Sequence, residues 1–320
     1  MIDQAVHSAD RDNVEAVLRD ELARGDAMAG SVLPILRHLI TAEDSSVFSD
    51  EILARVRGML ADLANALLDA LAQSAGQPDH AVHPADKVSL LTRAFLENQA
   101  LLSHLHALAL EWQLTERLQS RLALDPVVSP LLQSFVSARE GAMQDLAMKF
   151  LAAQARWCQS QRRMKLSLFE LPADLFHETL VTLSARAGDD PELIERAAFA
   201  EAALRRKYNE GGSRLGLASQ LVMSMSGEVE ALLSVANSGA ALFLSGLAIG
   251  SRQKRDAVVL STHEAQLARL ALALRTAGLS PTGVEQQFLA LHPDITLPQG
   301  FDRLGADKAS VILSTGRIAG

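Results

Sequence analysis

The sequence predicts an all-α fold, an irregular multi-helix bundle or helical array of roughly 10–13 helices with no regular repeat. Three observations carry that prediction. Apolar residues recur three and four positions apart along most of the chain. No segment alternates apolar and polar residues between hairpin turns. The composition, with 19 glycines and one tyrosine among 320 residues, is poor in what strands and tight turns need.

The elements follow in chain order. In Ile52-Leu53-Val56-Met59-Leu60-Leu63-Leu67-Leu68-Leu71 the apolar residues mark one face of a long amphipathic helix, with Ser49 at the cap position and Asp50 and Glu51 in the first turn. Gly76, Pro78 and Pro84 make 73–86 a loop. One helix is expected from about Ala85 to Leu110, ending near Glu111-Trp112. Another is expected over Val127–Trp157, after the cap and first-turn proline of Asp125-Pro126. Asp190-Pro191-Glu192 opens a helix that runs to Lys207 and is stopped by Gly211-Gly212. Ser261-Thr262-His263-Glu264 matches a capping box, with Gly278 closing its helix, and Ser280-Pro281 starts the next after a minimal turn. The prolines of 291–300 favour a loop, and a short helix is expected from Gly305 to Leu313.

Residues 231–251 carry no charge. Their length suits a membrane span, but Ser234, Asn237, Ser238 and Ser245 are poorly placed for lipid. Small residues at 234, 238, 241, 245 and 248 form one stripe, so the expectation is a helix buried in a bundle, broken at Gly239, with no stable membrane insertion.

Charge and composition bound the function. Hydrophobic residues make up 48% and charged ones 21%, enough for one large core or two ordinary ones. Residues 1–160 hold 13 Lys and Arg against 21 Asp and Glu, while 161–320 hold 17 of each. An acidic half repels phosphate backbones and aromatics are few, so nucleic acid is not an expected partner. The charge balance shifts near residue 165, which divides the chain into an acidic helical domain, 1–165, and a neutral one, 166–320. A single cysteine, Cys158, excludes an intramolecular disulfide. Met1–Arg24 has acidic residues and no apolar leader core, so a cytoplasmic location is expected.

Few motifs carry chemistry. His80 and His83 offer imidazoles in one loop, but no Cys or second His pair completes a metal set, and no metal or cofactor is expected. Glu97, His104 and Glu111 recur at seven-residue spacing, too far apart for one ion, and no Glu-x-x-His pair supports a di-metal bundle. The turn Gly211-Gly212-Ser213-Arg214 feeds a helix start whose N–H groups suit an anion; a plain helix reversal is the competing account. Cys158 stands near Arg156, Arg162 and Arg163, a setting that lowers a thiol pKa, though a lone helical cysteine is usually a small buried hydrophobe.

Leu175-Phe176-His177-Glu178-Thr179-Leu180 resembles the phospho-acceptor box of bacterial sensor histidine kinases. The resemblance implies a His177 nucleophile with Glu178 as its orienting carboxylate. It covers six residues and departs at Val181, where the box carries a polar side chain; no Gly-rich ATP lid follows. With no catalytic constellation elsewhere, the leading expectation is a non-enzymatic protein acting through protein–protein contacts as a scaffold or regulator. Its long amphipathic helices suit self-association as a homodimer. Phosphotransfer through His177-Glu178 and small-molecule sensing are the alternatives.

Overall fold

The computed structural model describes residues 2–42, 50–74, 83–138, 141–225 and 227–316. Among them stand fifteen α-helices, four short 3₁₀ turns and no strand, so the fold is all-α. The helices are α1 Ile2–Ala42, α2 Asp50–Ser74, α3 Ala85–Glu97, α4 Gln99–Leu122 and α5 Pro130–Val136. Then come α6 Gly141–Arg162, α7 Ala173–Ala185, α8 Pro191–Lys207, α9 Arg214–Ser224 and α10 Val229–Leu232. The last are α11 Val235–Ser251, α12 Arg255–Ser261, α13 Leu267–Thr276, α14 Pro281–Leu291 and α15 Ala306–Thr315.

The chain forms two compact units, each assembled from separate stretches of sequence. One comprises Met1–Pro34, Leu110–Ala152 and Ala218–Gly320; the other comprises Ile35–Ala109 and Ala153–Leu217. Sequence reasoning divides the chain once, near residue 165, whereas the charge step there coincides with the end of α6, inside the second unit.

The first unit is built around α11. Within it α11 packs against α5, α10, α12, α13 and α14, and α13 packs against α15. Leu242, Phe243, Leu244 and Leu247 are at most 1% exposed, each a burial worth about 1.5–3 kcal/mol against leaving it in water. The small side chains allow close approach: a Cβ on Gly246 would lie 2.6 Å from Leu232, and one on Gly250 2.8 Å from Ala277. Gly239 adopts φ +69°, and the helix breaks there as its glycine predicts. The uncharged stretch 231–251 is therefore core, and among the described residues no helix is long and apolar enough to cross a membrane.

The second unit is built around α2. It packs on α3 and α8, and α7 lies against α3 and α8. Leu53, Val56, Met59, Leu60, Leu63, Leu67 and Leu68 are all buried, the face predicted from their spacing. The position of the Ser49 cap lies outside the described residues.

Three expected elements differ. The helix expected from Ala85 to Leu110 is two, α3 and α4, and the second runs on to Leu122. Asn98 divides them: its Oδ1 accepts the Leu101 N–H at 2.9 Å and restarts the helix. The helix expected over 127–157 begins later and is two, α5 and α6, the second running on to Arg162. Asp125 Oδ1 takes the N–H groups of Val127 and Val128 in a turn, and Ser129-Pro130 supplies the cap and first helical residue of α5. The four-residue box at 261–264 opens no helix, because Ser261 is the last residue of α12; His263 Nδ1 caps Ala265 instead, at 3.2 Å, and a 3₁₀ turn leads into α13. Asp190-Pro191 and Ser280-Pro281 do start α8 and α14, each cap side chain accepting backbone N–H groups.

Candidate functional site

The second unit contains a cavity of about 460 Å³ assembled where α6 ends and where α8 hands over to α9. Each wall has a local cause. The last turns of α6 present Arg156, Trp157 and Ser160, and the helix is then stopped by Met164 at φ +55°, with Lys165 N–H closing on the Ser160 carbonyl at 2.9 Å. Leu166 N–H donates to Asp62 of α2 at 3.1 Å, which ties the segment after α6 to α2. Ser167 Oγ then accepts the Phe169 N–H at 3.3 Å and starts the 3₁₀ turn that carries Phe169 and Glu170.

The opposite wall begins at Lys207, the last residue of α8. Tyr208 anchors it: its ring stacks on Phe176 at 4.1 Å between centroids, and its hydroxyl donates to the Leu171 carbonyl at 2.8 Å. Burial, with Glu210 and Asp174 nearby, pushes the Tyr208 hydroxyl up to about 12, so it stays a donor. Asn209 Oδ1 accepts the Gly212 N–H, and Ser213 Oγ accepts the Gly216 N–H at 3.1 Å. A Cβ on Gly216 would overlap the Glu210 carbonyl, so this reversal requires glycine there.

The sequence-predicted anion turn, Gly211 to Arg214, therefore lies at this cavity, with Gly212 and Ser213 in its lining. Its backbone donors are largely engaged inside the protein. Gly212 N–H bonds to Asn209, Ser213 N–H to the Glu210 carbonyl, and Arg214 N–H to Glu170 Oε2 at 2.9 Å. The carboxylate at the start of α9 is thus the protein's own. The Arg214 guanidinium is 1% exposed and sits 4.0 Å over the Trp157 ring. Burial raises the Glu170 carboxyl above the usual carboxylate range, and the Arg214 N–H with the Arg214 and Arg156 guanidinium groups only partly offsets that. Arg156 and Lys207 are exposed, line the cavity, and make no ion pair among the described residues.

His177 and Glu178 are both exposed on α7. His177 Nδ1 lies 2.7 Å from the Arg205 guanidinium, which can only donate, so that nitrogen's lone pair is engaged. His80 lies outside the described residues. His83 Nε2 meets Asp69 Oδ1 at 2.7 Å as a single pair, and among the described residues no three His, Cys, Asp or Glu side chains converge as metal ligands. Glu97 pairs with Arg37 at 2.5 Å, His104 is buried, and Glu111 binds Arg255, so the seven-residue series splits into three separate structural roles. Cys158 is 1% exposed, and its Sγ accepts from Gln154 Nε2 at 3.7 Å.

Sequence reasoning missed the cavity because Arg156, Glu170 and Lys207 are far apart along the chain. The signals present were the basic end of α8 and the glycine turn that follows it. Compared with protein-family models, with curated proteins and with solved structures, the chain matches none.

Proposed function

We propose that this is a small-molecule-binding helical protein whose ligand occupies the cavity between the end of α6 and the α8–α9 junction. The single observation that carries the reading is the cavity itself. Its volume of about 460 Å³ falls within the range of small-ligand sites. Its lining combines three aromatic or apolar side chains, Trp157, Phe169 and Leu166, with charged and polar groups that include Arg156, Glu170 and Lys207. The engaged Nδ1 of His177 leaves phosphotransfer the weaker alternative. Trp157 provides the assay. Of the two tryptophans only Trp157 lines the cavity, so Trp112→Phe leaves one reporter. A library of small metabolites and fragments is screened against that variant by fluorescence and thermal shift. Saturable quenching with a raised melting temperature is expected; no saturable binder at millimolar concentration sinks the reading.

A second reading, action through a protein partner or a second copy, is favoured by the apolar groove of the same unit. It is lined by Leu68, Leu71, Leu91, Leu183 and Leu193, with Leu90 48% exposed at its edge. Light scattering at micromolar concentration tests the homodimer directly, and a monomer mass rejects it.

A further inference from the structure

Two of the cavity's cations form no ion pair among the described residues, although the Arg156 guanidinium acts on Glu170 from beyond pairing distance. Arg156 on the last turns of α6 and Lys207 at the end of α8 face one volume, and neither has a carboxylate within ion-pair distance among the described residues. Some other cations of this unit are paired, Arg205 with Glu201 at 2.9 Å, Arg37 with Glu97 at 2.5 Å and Lys165 with Asp62 at 3.5 Å, and others, such as exposed Arg162 and Arg206, are not; Arg156 and Lys207 stand apart from these in lining one volume. The acidic group of the cavity, Glu170, is already committed to the Arg214 N–H through Oε2. Two cations against one internally bonded carboxyl leave the volume an excess of positive charge. Beside them the half-buried Phe169 and the edge of Trp157, which is 3% exposed, supply the aromatic part of the lining.

Size separates an organic ligand from a bare ion. The volume of 460 Å³ is on the order of fifteen times the ~30 Å³ that one water occupies in the liquid. Inorganic phosphate would leave the aromatic wall facing water. An oxyanion attached to a planar or apolar body satisfies both halves of the lining at once.

Resting on the ligand-binding reading above, we infer that the ligand is a small organic anion, its carboxylate or phosphate-ester head held between Arg156 and Lys207 and its apolar body against Trp157 and Phe169. Phosphate esters would gain most from the two cations together, and carboxylates from the guanidinium fork of Arg156.

The test uses the full chain carrying Trp112→Phe and four probes: phenyl phosphate, phenylacetate, the neutral 2-phenylethanol, and inorganic phosphate. Both aryl anions are expected to bind at least tenfold more tightly than 2-phenylethanol and than inorganic phosphate, and whichever aryl anion binds more tightly identifies the head. The double variant Arg156→Ala/Lys207→Ala is expected to bring the aryl anions down to the affinity of 2-phenylethanol. Both side chains are exposed, so the variant's melting temperature should match the parent's, which separates a lost contact from a lost fold. Equal binding of anion and alcohol, or an undiminished anion affinity in the double variant, overturns the ligand class while leaving the cavity reading intact. Absence of binding by either aryl anion at millimolar concentration overturns the class too, and the metabolite screen then judges the cavity reading separately.

Discussion

In the unit built around α11 an arginine whose side chain is 14% exposed, Arg255, is closed upon a carboxylate. Arg255 donates through two nitrogens to the two oxygens of Glu111, each at 2.8 Å, and a third bond reaches Ser245 Oγ at 3.2 Å. Glu111 is wholly buried, and although burial works against the Arg255 charge, Glu111 outweighs it and raises the guanidinium pKa. In the unit built around α2, Arg55 is likewise buried against Glu51 and Arg214 lies on an aromatic ring, but Arg156 and Lys207 line an open volume and form no ion pair among the described residues. A charge satisfied on every side serves the fold. Charges that face a cavity without an ion pair are available for something that arrives from outside. That contrast is open to experiment at both ends.

The largest effect belongs to the closed pair. Glu111→Ala leaves the Arg255 guanidinium buried without its partner, and removing one member of such a pair typically costs about 3–5 kcal/mol. Replacing both, Glu111→Leu with Arg255→Met, is expected to recover most of the loss, because desolvation of two charges disappears with their attraction. Chemical denaturation of the four corners of this cycle measures it. A single-variant loss below 1 kcal/mol would mean the pair is no core element and would erase the contrast between the units.

Next in size is the close packing of α11. Ser238 and Ala241 are 2% and 6% exposed. Ser238→Leu or Ala241→Leu forces extra volume into a filled interior and is expected to destabilise by about 1–3 kcal/mol each. Melting curves of the two variants provide the check, and an unchanged curve for both would show slack where the small side chains imply contact.

The comparison also separates what was legible in the sequence from what was not. Asp190-Pro191 and Ser280-Pro281 were readable because each start needs only two adjacent residues: a side chain that accepts N–H groups and a proline with φ already helical. The buried face of α2 and the core position of 231–251 followed from spacing and charge alone. Asn98 was invisible because a single polar residue does not interrupt an apolar period, although its amide divides two helices. The box at 261–264 misled because local pattern cannot tell the end of one helix from the start of the next. The cavity was least legible of all. Its glycine turn was seen, but its donors turn out to be engaged by Asn209, Glu210 and Glu170, and only the fold brings Arg156 and Lys207 to one volume. Long-range assembly of separate stretches leaves no local trace.

A smaller effect, again in the α11 unit, is set by pH. His292, 5% exposed, has its pKa lowered from 6.5, first by burial and then by Arg117 and Arg121 of α4; Glu264 and a bond to the Thr262 backbone oppose this without prevailing. The unfolded chain therefore binds the proton more readily than the native one. The contribution is fully present above pH 6.5 and is lost as pH falls from there toward the lowered native value. Melting temperatures between pH 7.5 and 5 should decline in the parent and decline less in His292→Gln. Parallel curves would show that His292 does not titrate differently in the two states.

The smallest expected change in stability is at Glu170, and it bears most directly on the contrast. Its carboxyl pKa is raised in the folded state, chiefly by burial, from a usual 4.5. The groups facing it are the Arg214 N–H and guanidinium from α9 and the Arg156 guanidinium from α6. Here the native state holds the proton more tightly than the unfolded one, which reverses the sign found for His292. Stability falls as pH rises from about the unfolded value through the raised native one, then stays level. Glu170→Gln keeps an oxygen to accept the Arg214 N–H and removes the buried charge. Its stability at pH 7 should equal or exceed the parent's, with any loss inside the ~0.5 kcal/mol typical of neutral substitutions. The parent's decline between pH 4.5 and 7 should flatten in the variant. The same change removes the one acidic side chain of the cavity lining, so phenyl phosphate should bind Glu170→Gln more tightly than the parent at pH 7, and the difference between the two should narrow as the pH is lowered. If instead the variant unfolds readily, the carboxylate is a structural counter-charge to Arg214, as Glu111 is to Arg255, and the two units do not differ in how they use charge.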